Sequence, residues 1–171
     1  MVCPVAGPRA FADTWGAPRS GGRSHEGVDM MSPGGTPLVA AESGYANFST
    51  NRLGGNAIWL QGSGGTKYYY AHLSAWEGSS RAVSQGEIIG YVGATGNTTA
   101  NHLHFEVHPG GGRAVNPYPY VRNVCDSDDR CGARPDPSAM LRLRSRVMTV
   151  TTPAGSDMKG SSVRNDHKEH A

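Results

Sequence analysis

The chain has 171 residues, 37% of them hydrophobic and 8% aromatic, which supports one sizeable core rather than two. Sixteen basic against 14 acidic residues leave a net charge of +2, too small and too scattered to argue for nucleic acid or another polyanion as partner. No apolar run approaches the roughly 18 residues that a membrane helix needs, and no charged start followed by an apolar stretch reads as a signal peptide, so a soluble chain without a membrane span is expected.

Twenty-four glycines and 11 prolines, set among short apolar runs, favour brief strands joined by turns, hence a mainly β domain. In chain order, residues 1–24 read as a loop that ends in the turn-rich Arg19-Ser20-Gly21-Gly22-Arg23. His25-Glu26-Gly27-Val28-Asp29 follows. Gly27 and the nearby Pro33-Gly34-Gly35 disfavour a helix, whereas on a strand positions 25, 27 and 29 share a face, with Gly27 leaving room between His25 and Asp29. Gly35 to Ala41 and Gly44 to Phe48 read as two short strands around a turn, and Asn56 to Gln61 as another. The Gly62-Ser63-Gly64-Gly65 turn leads into Lys67-Tyr68-Tyr69-Tyr70-Ala71-His72-Leu73, whose aromatic run has high β preference and whose end carries His72. Val83 to Val92 is read as one strand with corners at Gly86 and Gly90, and Gly93 to Asn97 as a loop. These connections are too short for βαβ crossovers, so the sheets are expected to be antiparallel.

His102-Leu103-His104-Phe105-Glu106-Val107 alternates polar and apolar residues strictly, the pattern of a half-buried strand. His102, His104 and Glu106 then share one face, the two histidine Cα atoms roughly 6.6 Å apart at about 3.3 Å per residue. Imidazole is the commonest metal ligand, and two histidines with a carboxylate on one face favour a metal site over a solvated surface. His25, Asp29, His72, His102 and His104 fall on three strands of one expected sheet. His25, Asp29 and one of the two later histidines satisfy the three-ligand, open-position requirement of hydrolytic zinc, and the other histidines are left for proton transfer or oxyanion stabilisation. Spacing does not choose between His102 and His104 as ligand.

Beyond Val107 the pattern fades through His108-Pro109-Gly110-Gly111-Gly112 to a last extended piece, Val115 to Tyr120. The domain is taken as residues 1–124, and residues 125–171 as a polar, irregular C-terminal tail in which Leu141 to Arg144 form a brief element and His167 and His170 have no metal role. Cys3, Cys125 and Cys131 lie at the domain's two edges, which argues against a thiolate zinc site and for a disulfide, either Cys3 with Cys125 or Cys125 with Cys131.

Taken together, Gly22-Arg23-Ser24-His25-Glu26-Gly27-Val28-Asp29, Gly35-Thr36-Pro37, Tyr70-Ala71-His72-Leu73, Gly93-Ala94-Thr95-Gly96-Asn97 and His102-Leu103-His104-Phe105-Glu106 resemble, in order, the motifs of lysostaphin-type (LytM-like) zinc endopeptidases, which cut peptide bonds in peptidoglycan. The resemblance covers roughly residues 11–121. It implies antiparallel sheets of the duplicated hybrid motif with a cleft across one sheet, one Zn2+ per chain on His25, Asp29 and His104, and His72 and His102 in catalysis. It also implies a monomer working outside the cytoplasm on peptidoglycan peptides. Several family members carry a tyrosine a few residues ahead of the first ligand, where this chain has Arg19; Arg19 or Arg23 is the candidate for that supporting role. Glu106 is a candidate for orienting one of the histidines, and the loops Ser49 to Asn56 and Ser74 to Ser84 for choosing the substrate. The competing expectations are a non-catalytic peptidoglycan-binding or amidase-activating relative, and a metal-free β module. Relatives of the first kind lack some of the site residues, whereas all five are present here. For the second, Asp29 has no reason to accompany His25.

Overall fold

The computed structural model describes residues 1–130, with side chains through Cys125. The strands in chain order are β1 (Pro18–Arg19), β2 (Arg23–Ser24), β3 (Val28–Met31), β4 (Pro37–Val39), β5 (Gly44–Asn51), β6 (Gly55–Gly62), β7 (Lys67–Leu73), β8 (Ala75–Trp76), β9 (Arg81–Val83), β10 (Ile88–Tyr91) and β11 (His102–His108), followed by helix α1 (Tyr118–Arg130). Six strands form an antiparallel sheet in the order β3-β11-β7-β6-β5-β9, and β4-β10-β8 form a second, smaller sheet. β1 and β2 pair as a small ribbon across a tight turn.

Alternation explains the large sheet. On β11, Leu103, Phe105 and Val107 are buried, and Phe105 packs between Tyr68 and Tyr70 of β7. Met30, Ile58, Leu60, Leu73, Leu38 and Ile89 join them in one apolar cluster fed by both sheets. Each such side chain contributes on the order of 1.5–3 kcal/mol on burial. Tyr70 ties the two sheets with polar bonds as well: its hydroxyl donates to the Val39 carbonyl at 3.1 Å and accepts from the Ala41 N–H at 2.8 Å.

Four details depart from the sequence reading. β4 and β5 do not form a hairpin but belong to different sheets, and the expected strand Val83 to Val92 is broken: Val83 ends β9, and only Ile88–Tyr91 form β10, in the other sheet. Gly86, with φ of +82°, makes the turn that sends the chain from one sheet to the other. His25 and Gly27 precede β3 rather than lying in it, so only Asp29 stands on that strand. The extended piece expected up to Tyr120 becomes helical at Tyr118. Pro117 and Pro119 were the extended signal, but proline is tolerated at a helix start, where its missing N–H is not needed, and the Asn116 side chain caps by accepting from the Tyr118 N–H at 2.9 Å.

Helix α1 runs through the division expected at 124/125 and faces the core with Val121 and Cys125. Cys125 forms a disulfide with Cys3, which selects one of the two expected pairings. Cys131, the element expected at Leu141 to Arg144, and His167 and His170 lie outside the described residues. No described helix is long and apolar enough to cross a membrane.

Candidate active site

The large sheet turns its polar face toward a cleft of about 890 Å³ lined by His25, Asp29, His72, His102 and His104, with Glu106, Arg19 and Arg23 at its border. Strand order makes this possible, because β3, β11 and β7 are neighbours. In register, His104 stands opposite Asp29 on one side and Ala71 on the other. Ala71 is small and leaves the His104 ring room above the sheet.

His25 arrives from the loop before β3. Its backbone is held by the segment ahead of the β1–β2 ribbon, its N–H donating to the Ala17 carbonyl at 2.9 Å and its carbonyl accepting from the Gly16 N–H at 2.8 Å. Gly27 then lets the chain pass under the third ligand candidate. A Cβ there would sit 2.6 Å from His104 Cε1 and 2.7 Å from the Phe105 carbonyl oxygen, so the glycine makes room for His104 rather than for a gap between His25 and Asp29.

His72 reaches the cleft by a different device. Tyr69 and Ala71 line the cleft while Tyr68 and Tyr70 are buried, so regular alternation would bury His72 as well. The β6–β7 register slips between Asn56 and Ile58, and His72 takes φ of +70°, the one positive φ at a described non-glycine residue. This bulge turns the ring back to the cleft face. It is braced by the His72 N–H donating to the Gly54 carbonyl at 2.7 Å.

Each of the four histidines has one ring nitrogen tied to a fixed oxygen. His25 Nδ1 donates to the Thr14 carbonyl at 2.7 Å, His72 Nδ1 to that of Thr95 at 2.8 Å and His102 Nδ1 to that of Ala100 at 2.8 Å, while His104 Nε2 donates to Glu106 at 2.9 Å. In the neutral ring the opposite nitrogen then carries a lone pair toward the cleft. Three acceptor atoms converge: His25 Nε2, His104 Nδ1 and Asp29 Oδ1 lie 2.9–3.0 Å from one another. Groups this close need either shared protons or a metal cation between them. Tetrahedral zinc, with arms of about 2.0–2.1 Å, spaces its ligands by roughly 3.3 Å, so the donor set and its size fit that ion. The three are also the one metal-capable group of this kind among the described residues, and His102 is outside it, its Nε2 3.7 Å from Asp29 Oδ1.

Electrostatics agree with this division. Burial opposes charge on Asp29, but hydrogen bonds to His104 and His25 and their positive charge hold its carboxyl far below the usual range. Burial likewise opposes the His104 cation, yet Asp29 and Glu106 outweigh it and lift His104 to about 8. His72 goes the other way: burial, against the pull of the Thr95 carbonyl, lowers it to about 4, so it is neutral at neutral pH. Its ring centroid lies 4.7 Å from that of His102.

Comparison with known proteins bears on this cluster directly. The model of peptidase family M23 matches residues 23–117, more than half of the chain and a span that contains His25, Asp29, His72, His102 and His104. The chain belongs to peptidase family M23. Among its relatives, the DD-carboxypeptidase/endopeptidase Mpg of Neisseria meningitidis is 42% identical over 96 residues, covering 56% of this chain and 22% of that protein. This M23 chain thus spans about a fifth of the length of the curated relative it matches there. Among solved structures, the catalytic domain of lysostaphin from Staphylococcus simulans is 32% identical with a TM-score of 0.59, covering 67% of this chain and 92% of that one. A zinc-containing peptidase from Vibrio cholerae is 27% identical with a TM-score of 0.53, covering 66% and 35% respectively.

The remaining expectations for the M23 site divide. Arg19, at the cleft, pairs with the second oxygen of Asp29, Nη2 to Oδ2 at 2.5 Å, and Arg23 bonds the Ser20 carbonyl at 3.2 Å. Glu106 lies against His104, on the face alternation assigns it. Of the two loops named for substrate choice, the first lines the cleft through Asn51, Leu53 and Gly54, and the second, residues 74–84, does not line it. Tyr69, Asn97 and Thr98 also line the cleft and were not singled out from the sequence. Tyr69 sat in an aromatic run that reads simply as strand, although its alternation with Tyr68 and Tyr70 held the signal.

Proposed function

We propose that this chain is a zinc-dependent metalloendopeptidase that hydrolyses peptide bonds in peptidoglycan, with one zinc held by His25, Asp29 and His104. The observation that carries the reading is the convergence of three acceptor lone pairs, each 2.9–3.0 Å from the other two, at the floor of an open cleft. The family assignment and the printed functions of the relatives support it: a DD-carboxypeptidase/endopeptidase, the peptidase lysostaphin and a zinc-containing peptidase.

A zinc ion bound there supplies Lewis acidity, polarising the scissile carbonyl and bringing the pKa of a water toward about 7. The protein's part is to hold protons and charge. His72 and His102 both turn Nε2 to the cleft, their Nδ1–H groups being held by the Thr95 and Ala100 carbonyls. The one that is unprotonated at Nε2 accepts the proton of the attacking water and returns it to the leaving amine. The other stabilises the oxyanion as the imidazolium, donating from Nε2–H. Arg19 and Glu106 act one step out, the first fixing the Asp29 carboxylate and the second the His104 ring. The peptidase unit is assigned to residues 1–124 together with the rest of α1, which carries Cys125 and runs past that division. Peptidoglycan lies outside the cytoplasmic membrane, and the Cys3–Cys125 disulfide suits an oxidising compartment.

Digestion of purified peptidoglycan, with and without chelator and read by mass spectrometry of the released fragments, tests the activity. His104→Ala is expected to lose both zinc and activity, and His102→Ala to keep about one zinc per chain and lose turnover. A His102→Ala protein without zinc would reverse the ligand assignment, and a wild-type chain that binds no zinc would end the proposal.

A further inference from the structure

The cleft face of β11 does not stop at Glu106. His104, Glu106 and His108 follow one another at every second position, and the Glu106 carboxylate is held from both sides: Oε1 accepts from His104 Nε2 at 2.9 Å and Oε2 from His108 Nε2 at 2.7 Å. The far nitrogen of His108 meets the Gly112 carbonyl, Nδ1 to O at 2.9 Å. That carbonyl is brought back to the ring by the turn Pro109–Gly111, in which Gly110 and Gly111 adopt φ of +60° and +71°. Those are left-handed values that glycine adopts without strain. The edge of the Trp59 ring closes over His108, centroids 5.1 Å apart, and all three side chains of the row are only 13–14% exposed.

We propose that His108 is a positioning residue for the metal site, acting on His104 through Glu106. The inference rests on the assignment of His104 as a zinc ligand through Nδ1. A carboxylate bonded at one oxygen pivots about that bond, whereas one bonded at both, with its second partner anchored to a turn, presents a fixed acceptor to His104 Nε2–H. A fixed Nε2–H keeps the Nδ1 lone pair aimed at His25 and Asp29. His108 lies outside the cleft lining, behind Glu106 as seen from His104. The His108-Pro109-Gly110-Gly111-Gly112 segment, which in sequence reads only as an exit turn, is on this account the outer anchor of the metal centre.

The test measures zinc affinity of the whole chain by chelator competition, independently of turnover. Glu106→Ala is expected to weaken binding about 10- to 100-fold, the usual effect of losing a ligand's hydrogen-bond partner. His108→Phe, which keeps a ring against Trp59 but has no N–H, is expected to weaken it several-fold. His108→Gln, whose amide can donate to Oε2, should recover most of the loss. The Glu106→Ala/His108→Phe double variant should bind no more weakly than Glu106→Ala alone, since the second change then has nothing to act through. Unchanged affinity in His108→Phe, additive losses in the double variant, or a His108→Gln protein as weak as His108→Phe would each overturn the role of His108 while leaving the zinc site standing. A wild-type chain without zinc affinity takes down this inference together with the reading beneath it.

Discussion

At the scale of single residues, the site is shaped as much by what is missing as by what is present. Gly27 is the clearest case. Its φ is not left-handed, so the need for glycine here is space: any Cβ would collide with both the His104 ring and the Phe105 backbone. The ring can swing but the backbone cannot, so Gly27→Ala is expected to displace His104 from Asp29, weakening zinc binding at least 10-fold and lowering stability by about 1–3 kcal/mol, the usual cost of overpacking. Calorimetric titration with zinc and thermal melts check both; an alanine variant with wild-type affinity would show that β3 and β11 can part. The residues behind the histidines follow a complementary rule. Thr14, Thr95 and Ala100 meet the rings through backbone carbonyls, and so decide which nitrogen of His25, His72 and His102 faces the cleft.

At the scale of elements, two hairpins are held by polar contacts that a strand pattern does not announce. The turn between β6 and β7 is gathered by Glu42, which accepts from the Gly64 N–H at 2.6 Å and the Tyr68 hydroxyl at 2.9 Å. Partial burial opposes its charge, but these donors and the Ser63 hydroxyl outweigh that and hold its pKa below the ordinary 4.5. A carboxylate whose pKa is lower folded than unfolded stabilises the fold above the unfolded value and loses that contribution as pH falls below it. Glu42→Gln is therefore expected to flatten the dependence of Tm on pH below about 4.5, variant and wild type converging once the pH has fallen through the lowered folded value. Equal slopes for the two proteins would show that Glu42 contributes nothing through its charge. At the other end of the same strands, the β5–β6 turn packs against the loop that follows β10. The Asn97 N–H donates to the Leu53 carbonyl at 2.8 Å, and Thr95 accepts from the Asn56 N–H at 3.0 Å and donates to the Leu73 carbonyl at 2.8 Å. Gly96, whose Cβ would fall 2.3 Å from the Gly55 nitrogen, permits that contact. His72 is thus positioned by two loops, each about 20 residues from it and about 40 from the other in the numbering, that meet at its bulge.

At the scale of the whole molecule, the disulfide joins residues 122 positions apart and fastens α1 to the N-terminal segment. Closing so long a loop restricts the unfolded chain, so a Cys3→Ser/Cys125→Ser variant is expected to lose on the order of 2–5 kcal/mol of stability while its zinc affinity stays within about twofold, because neither cysteine touches the cleft. Denaturant unfolding of the two proteins measures the first and chelator competition the second; a large fall in affinity would mean that the N-terminal segment, which includes Thr14, loosens with the bond.

How much of this could be read beforehand follows from which interactions are local. Alternation along His102 to Val107 assigned the faces of β11 correctly, because side-chain direction in a regular strand depends only on parity. Composition and connection lengths were enough for antiparallel sheets, and the order of the motifs for the family. The same parity argument says nothing true of His72, since a bulge forced by contact with Gly54 and Thr95 reverses its face. It was equally silent on His104 against His102, which differ only in that register places the former opposite Asp29. The kinds of donor available and the faces of regular strands follow from residue order alone. Which three donors meet emerges only on folding, because strand register and bulges are set by partners distant in the chain rather than by neighbours along it.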